Sequence, residues 1–301
     1  VQALSTRNVA ALTTDQVVAL STKQLNALKS AQINAMTAAQ INALTSDQLP
    51  GLRATQISSI STLRLGSVSS DQIAAFSTAQ IQALSTDQMM ALISDQIAAL
   101  GNDQVMSLKA KQLRAIETRD LGAFDSDQIA AFSTAQIVAF TTGQIEAFGS
   151  AQIAMIEPTD LAALTTAQVA ALGSDQVGAL TTAQIQALKP SQIAALSTRA
   201  ISVLDEDQIG ALSSTQLMAL KDTQIVALSS DQFNYLSTEQ LASLTTRQIS
   251  MIQSQDIAAL DTSLIEGMSS SQIAALTTAQ IAALTSDNIG SIATASLVAM
   301  T

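Results

Sequence analysis

The residues of this chain that come closest to a chemical site are carboxylates and hydroxyls. Glu157 and Asp160 stand three apart, and Asp205, Glu206 and Asp207 are consecutive. Acids so placed would suit general acid–base work or an oxygen-ligated Ca²⁺. The rest of such a site is missing. With no His and no Cys, the chain lacks the commonest general base, the thiol nucleophile and the usual zinc ligands together. Ser and Thr are plentiful, but nothing is present to activate them. No D-x-[DN]-x-[DN]-G loop, no Gly- and Asp-rich nonapeptide and no Gly-rich phosphate loop occurs. The plainer reading places these acids in the first turns of helices, where the helix dipole favours negative charge. The sequence thus predicts no catalytic, cofactor-binding or metal-binding residue, no cofactor and no enzymatic activity.

Two aromatic groups are the other candidates. Phe124, Phe132, Phe140 and Phe148 recur every eight residues and would form either a sticky stripe for a ligand or part of the core. The core is expected. Phe233 and Tyr235 share one stretch, and Tyr235 stands where Ala is usual, so a local bulge or surface patch is expected there.

The elements that hold these residues follow from a repeat. Written in rows of eight from Leu4, the chain aligns to its end without insertion or deletion. Rows such as LTTDQVVA from Leu12, LSTDQMMA from Leu84 and LTTAQIQA from Leu180 give a consensus L-[ST]-[ST]-[DA]-Q-[IVL]-x-A. Columns one and six are apolar throughout, from Leu4 and Val9 to Met300 and Leu297. Column eight is nearly always small, with Met155, Val203, Tyr235 and Met251 as exceptions. Column seven accepts Gln2, Pro50, Arg114, Glu146 and Met218, as a solvent-facing position would.

Apolar spacing therefore alternates five and three, which fits neither a continuous helix nor a strand. The chain must turn once per repeat. Ser or Thr in column two with Gln three residues later is a capping box, and the apolar residues at columns one and six stand where a hydrophobic staple needs them. Pro158 and Pro190 both fall in column three, the first helical position, where a missing N–H is harmless. Pro50, in column seven beside Gly51, predicts a local defect.

The expected fold is all-α: a solenoid or superhelix of very short capped helices, about six residues each and one per eight-residue repeat, over residues 1–301 as a single continuous array. Such helices are unstable alone and must be stacked. Small residues in column eight would let adjacent backbones approach. Where column two is Lys29, Lys109, Lys189, Lys221, Gly101, Gly149 or Gly173, the cap is expected to slide by one residue. Units without the column-five Gln include those beginning at Ile60, Ile116, Ile156, Leu196, Ile252 and Leu260, a spacing that would fit a superhelical repeat of five to seven units. The rival fold is a β-solenoid with stacked Gln ladders, disfavoured by abundant Ala and by the lack of period-two alternation.

Composition bounds the rest. A chain of 301 residues would ordinarily form about two domains. Aromatics are 2% and charged residues 12%, and the net charge is −11. Nucleic acid is not an expected partner, because phosphate binding needs clustered Lys and Arg. No apolar run approaches a membrane span. Val1-Gln2-Ala3 already lies inside the repeat, and Met300-Thr301 stops partway into another, which reads as a segment of a longer protein with flanking domains.

The row LTTDQVVAL from Leu12 resembles the opening helix of TAL-effector repeats. The resemblance covers about nine residues and implies the same capped, stapled helix start. The longer period, the second helix and the base-reading pair of that family are absent here, and no functional residue is carried over. In composition the chain is similar to the long octapeptide-repeat regions of large bacterial secreted and surface proteins. The expected function is structural: an extracellular or cell-surface spacer, stalk or fibre subunit of a bacterium, with end-to-end or lateral self-association. The alternatives are an α-solenoid scaffold for a peptide or protein partner, and an ice- or mineral-binding β-solenoid.

Overall fold

The computed structural model describes residues 1–298. Among them are 36 α-helices of four to six residues, one 3₁₀ helix and no strand. The all-α solenoid of short helices is the fold, and the β-solenoid, with its flat threonine arrays, is not what these residues form. The chain divides into two bodies of the same build, Val1–Phe148 and one beginning at Gly149.

Each helix begins at column three, after an extended residue in column two. Ser213 has φ −73° and ψ 158°, and its hydroxyl accepts from Gln216 N. Pro158 and Pro190 are first helical residues, as their column requires. Each helix up to Ser286–Ser291 is closed by a tightened last bond from the column-one N–H to the column-six carbonyl, as in Leu84 N to Ile81 O at 3.1 Å. The bend itself uses two extended residues, columns one and two; Leu84 has φ −60° and ψ 134°. No described residue has a positive φ. The chain reverses direction once per unit without the left-handed conformation that calls for Gly, which explains the scarcity of Gly in so turn-rich a sequence.

The cap does not slide. Helices after Lys29, Lys109, Gly101 and Gly173 start in the usual column, at Ser30, Ala110, Asn102 and Ser174. Their column-two N–H groups still donate to the Gln side chain, at 2.6 Å for Lys29 and 2.8 Å for Gly101. Half of the capping box survives, and it fixes the start. Column-two residues without a short hydroxyl act differently: Arg53 Nη2 donates to Leu28 O at 2.8 Å, and Lys109 Nζ to Gln82 O at 3.0 Å, tying one turn to the one before.

Columns one and six form the core. Ile33, Ile57, Ile185 and Leu217 are fully buried or nearly so, as are Leu28, Leu84 and Leu188. Val9, Val17 and Leu25 are buried while Leu4, Leu12 and Leu20 are partly exposed, and Ile289 is exposed. Met300, the last residue of column one, lies outside the described residues. Within each body helices pack on the helix three units later, as Thr6–Ala10 does on Ser30–Ala35 and Pro190–Ile193 on Ser214–Met218. One turn of the coil takes between three and four units, not the five to seven suggested by the spacing of Gln-less rows.

Column eight is small because the preceding turn lies against it. A Cβ on Gly51 would sit 2.8 Å from Thr22 Cβ, and one on Gly267 3.1 Å from Thr238 Cβ, each 29 residues earlier. The Pro50 defect is real. Pro50 has no N–H for the last helical bond, and its unit holds the 3₁₀ helix Leu49–Gly51 in place of an α-turn.

Candidate functional site

The feature common to both bodies is the column-five glutamine, which is used at both ends. Gln216 Oε1 accepts from Ser213 N at 2.8 Å, closing the capping box. Its Nε2 donates to the carbonyls of Ile185 and Leu188, both at 2.7 Å, 31 and 28 residues back on the previous turn. In the first body Gln80 bonds Ser77 N, Leu49 O and Leu52 O in the same manner. These glutamines are buried: Gln56 and Gln112 are 0% exposed. A stack of amide rungs thus runs along each body, joining turns whose backbones do not bond one another directly.

An amide side chain suits this place. A capping box tolerates Glu as well as Gln, yet no unit has Glu in column five. A carboxylate can accept the cap's N–H but has nothing to give the two carbonyls, whereas an amide carries an acceptor and two donors. That exclusion of Glu was the signal in the sequence for the second role, which the capping-box reading leaves out.

Units without the glutamine show what replaces it. Asn288 keeps both functions, with Thr285 N donating to Oδ1 at 3.2 Å and Nδ2 donating to Leu260 O at 3.0 Å. Arg64 Nη1 donates to Asn34 O at 2.7 Å. Ala200 and Leu264 supply no polar group and are buried. Asp120 and Asp256 are buried acids that take a serine hydroxyl from the previous turn, Ser94 and Ser230, each at 2.6 Å.

The acids singled out by spacing are not gathered into a site. Glu157 is an exposed N-cap while Asp160 lies buried in column five. Asp205 caps its helix by accepting from Gln208 N at 2.8 Å, and Glu206 and Asp207 follow in the first turn, all three exposed. No group of three or more metal-capable side chains occurs among the described residues. Arg247 clasps exposed Asp222 with Nε 3.1 Å from both carboxylate oxygens, and this hydrogen bond holds the Asp222 carboxyl below its ordinary pKa.

The phenylalanine stripe is core. Phe124, Phe132, Phe140 and Phe148 are 2–3% exposed and meet edge to face, with successive ring centroids 5.1–5.3 Å apart. Phe233 is fully buried, whereas Tyr235 is exposed and lines an open depression of about 600 Å³ together with Gly210, Ser213, Leu236 and Glu239. No helix among the described residues is long and apolar enough to cross a membrane.

Comparison with known proteins also returns a tandem repeat, in matches each several octapeptide rows long. None of the curated proteins matches the chain. A family model described as the ALTTAQ repeat matches nine times in tandem, at residues 1–30, 22–54, 65–102, 97–134, 129–155, 153–190, 189–222, 214–246 and 249–286. Its six letters are columns eight to five read across a boundary, as in Ala163-Leu164-Thr165-Thr166-Ala167-Gln168. They end on the rung glutamine. With capped helices, core columns and rungs all tied to that motif, and with matches over most of its length, the chain belongs to the ALTTAQ repeat family.

Proposed function

We propose that this structural repeat array works as a spacer, stalk or fibre subunit outside a bacterial cell, without catalysis. The observation that carries the reading is the double use of the rung glutamine. The most regular polar side chain in the molecule is spent on holding turn to turn, and the hydroxyls beside it on starting helices. A repeat selected for length and stiffness needs such groups in every unit, while a site for a substrate needs them concentrated in one.

Surface character supports self-association. Charged side chains are sparse, and the exposed columns carry Ser, Thr, Ala and single apolar residues such as Val18, Met90, Met106 and Met218.

Two measurements test the reading. Particle length, seen by electron microscopy, should rise in proportion to the number of units in arrays of different length, and sedimentation should show association that grows with concentration. A peptide or protein that binds the dilute array saturably, at one stoichiometric site, would overturn it in favour of a binding scaffold. Labelling of intact cells with an impermeant reagent tests the location, and a protein protected until lysis would refute it.

A further inference from the structure

Three rungs contain a buried acid where their neighbours hold an amide, and two of them, at Asp120 and Asp256, share one arrangement. Asp120 and Asp256 are each 3% exposed. One carboxylate oxygen, Oδ1, takes the hydroxyl of Ser94 or Ser230. The other, Oδ2, is buried in both and accepts no hydrogen bond. By register, the carbonyls a glutamine would reach from these positions include those of Leu92 and Leu228, 28 residues back. Equivalent carbonyls elsewhere receive Nε2 at 2.7 Å (Leu188) and 3.1 Å (Leu220). Leu92 O and Leu228 O receive no donor from backbone or side chains.

At Asp256, then, a buried carboxylate oxygen with no partner and a leucine carbonyl with no donor belong to the same rung. A charge held there alone is strongly unfavourable. At Asp120 some relief comes from Arg119, whose Nε lies 3.5 Å from Oδ2 on a side chain 72% exposed. At Asp256 no salt bridge is formed.

We propose that the Asp256 rung, which has no arginine beside it, binds a small monovalent cation such as K⁺ or Na⁺. The ion takes the role of the amide donor, ligated by the free carboxylate oxygen and the leucine carbonyl. Both ligands are hard oxygens, the type that alkali and alkaline-earth ions prefer. Charge selects the valence: one positive charge balances one carboxylate, and a divalent ion would leave an excess charge in the interior.

The experiment is thermal unfolding of the full chain at fixed ionic strength in KCl, NaCl or N-methylglucamine chloride, whose cation is too large for the rung. The wild-type melting midpoint should be higher by about 2–4 °C in K⁺ or Na⁺. The variant Asp256→Gln should melt at the same temperature in all three salts, and it is a safe variant because Gln is the usual occupant of the column. As a second readout, ²³Na resonance lines should be broader with the wild type than with the variant. Equal wild-type midpoints in the three salts, or a cation dependence that survives in the variant, would overturn the proposal.

Discussion

The side-chain nitrogen of Gln216 lies 2.7 Å from the carbonyl oxygen of Leu188, 28 residues earlier, while its oxygen takes the amide of Ser213. One residue thus starts its own helix and fastens that helix to the previous turn. Gln216→Glu preserves shape and the cap acceptor but removes both donors and brings a negative charge against two carbonyls. It should lower the unfolding free energy by at least about 1–3 kcal/mol, the cost of a buried unmet polar group. Urea unfolding measures this, and a variant as stable as wild type would refute the rung.

Proline position makes a sharp pair. Ser214 is a first helical residue after an extended cap, so Ser214→Pro should be neutral or stabilising by about 0.4–1 kcal/mol. Met218, four residues on, is in the column of Pro50, and Met218→Pro should cost about 3 kcal/mol. The two variants differ only in column, and their melting midpoints should separate in that order.

Glycine substitutions should divide by contact. Gly143 is inside the helix Thr142–Ala147, and an added Cβ would meet nothing within 4 Å, so Gly143→Ala should stabilise by about 0.5–1 kcal/mol. Gly51→Ala would drive a methyl to 2.8 Å from Thr22 and should destabilise by about 1–3 kcal/mol. Differential scanning calorimetry of both variants checks the sign of each.

Phe140 meets Phe132 and Phe148 edge to face at 5.3 and 5.1 Å. Phe140→Ala removes a buried ring with both contacts and should cost about 3–5 kcal/mol. Near-ultraviolet spectra of the phenylalanines, followed through denaturant, should show early loss of order in that variant.

The Asp222–Arg247 pair fixes the sign of one pH effect. The hydrogen bond from Arg247 lowers the Asp222 pKa in the folded state. The pair's contribution is therefore present above the ordinary carboxylate range and is lost as pH falls through the lowered folded value. Carbon-13 titration should place Asp222 below the usual aspartate range, and Arg247→Ala should return it there. Both groups are exposed, so the change in overall stability should be small.

Local features were legible in the sequence because their causes are local. Ser213 with Gln216 reads as a capping box, Pro158 and Pro190 mark first helical residues, and Pro50 marks a broken unit, all within eight residues. The second bond of Gln216 was not legible, since its partners lie 28 and 31 residues away and depend on how many units complete a turn. The same holds for the serine partners of Asp120 and Asp256, 26 residues distant. The sliding cap was expected because Lys29 lacks a hydroxyl, yet the backbone N–H of Lys29 suffices to hold the glutamine and so to fix the start.

The rung distances carry a consequence for how such a gene can change. Partners lie 28 and 31 residues apart in a chain that repeats every eight, so duplicating or deleting one unit hands each amide an equivalent carbonyl from the adjacent row. Slippage in steps of eight codons therefore leaves the interior chemically whole, whereas a shift of one codon strands the glutamines of the following turn, whose partner carbonyls lie on its other side, against the wrong atoms. Array length is free to drift in whole units, and the reading frame of the octapeptide is not.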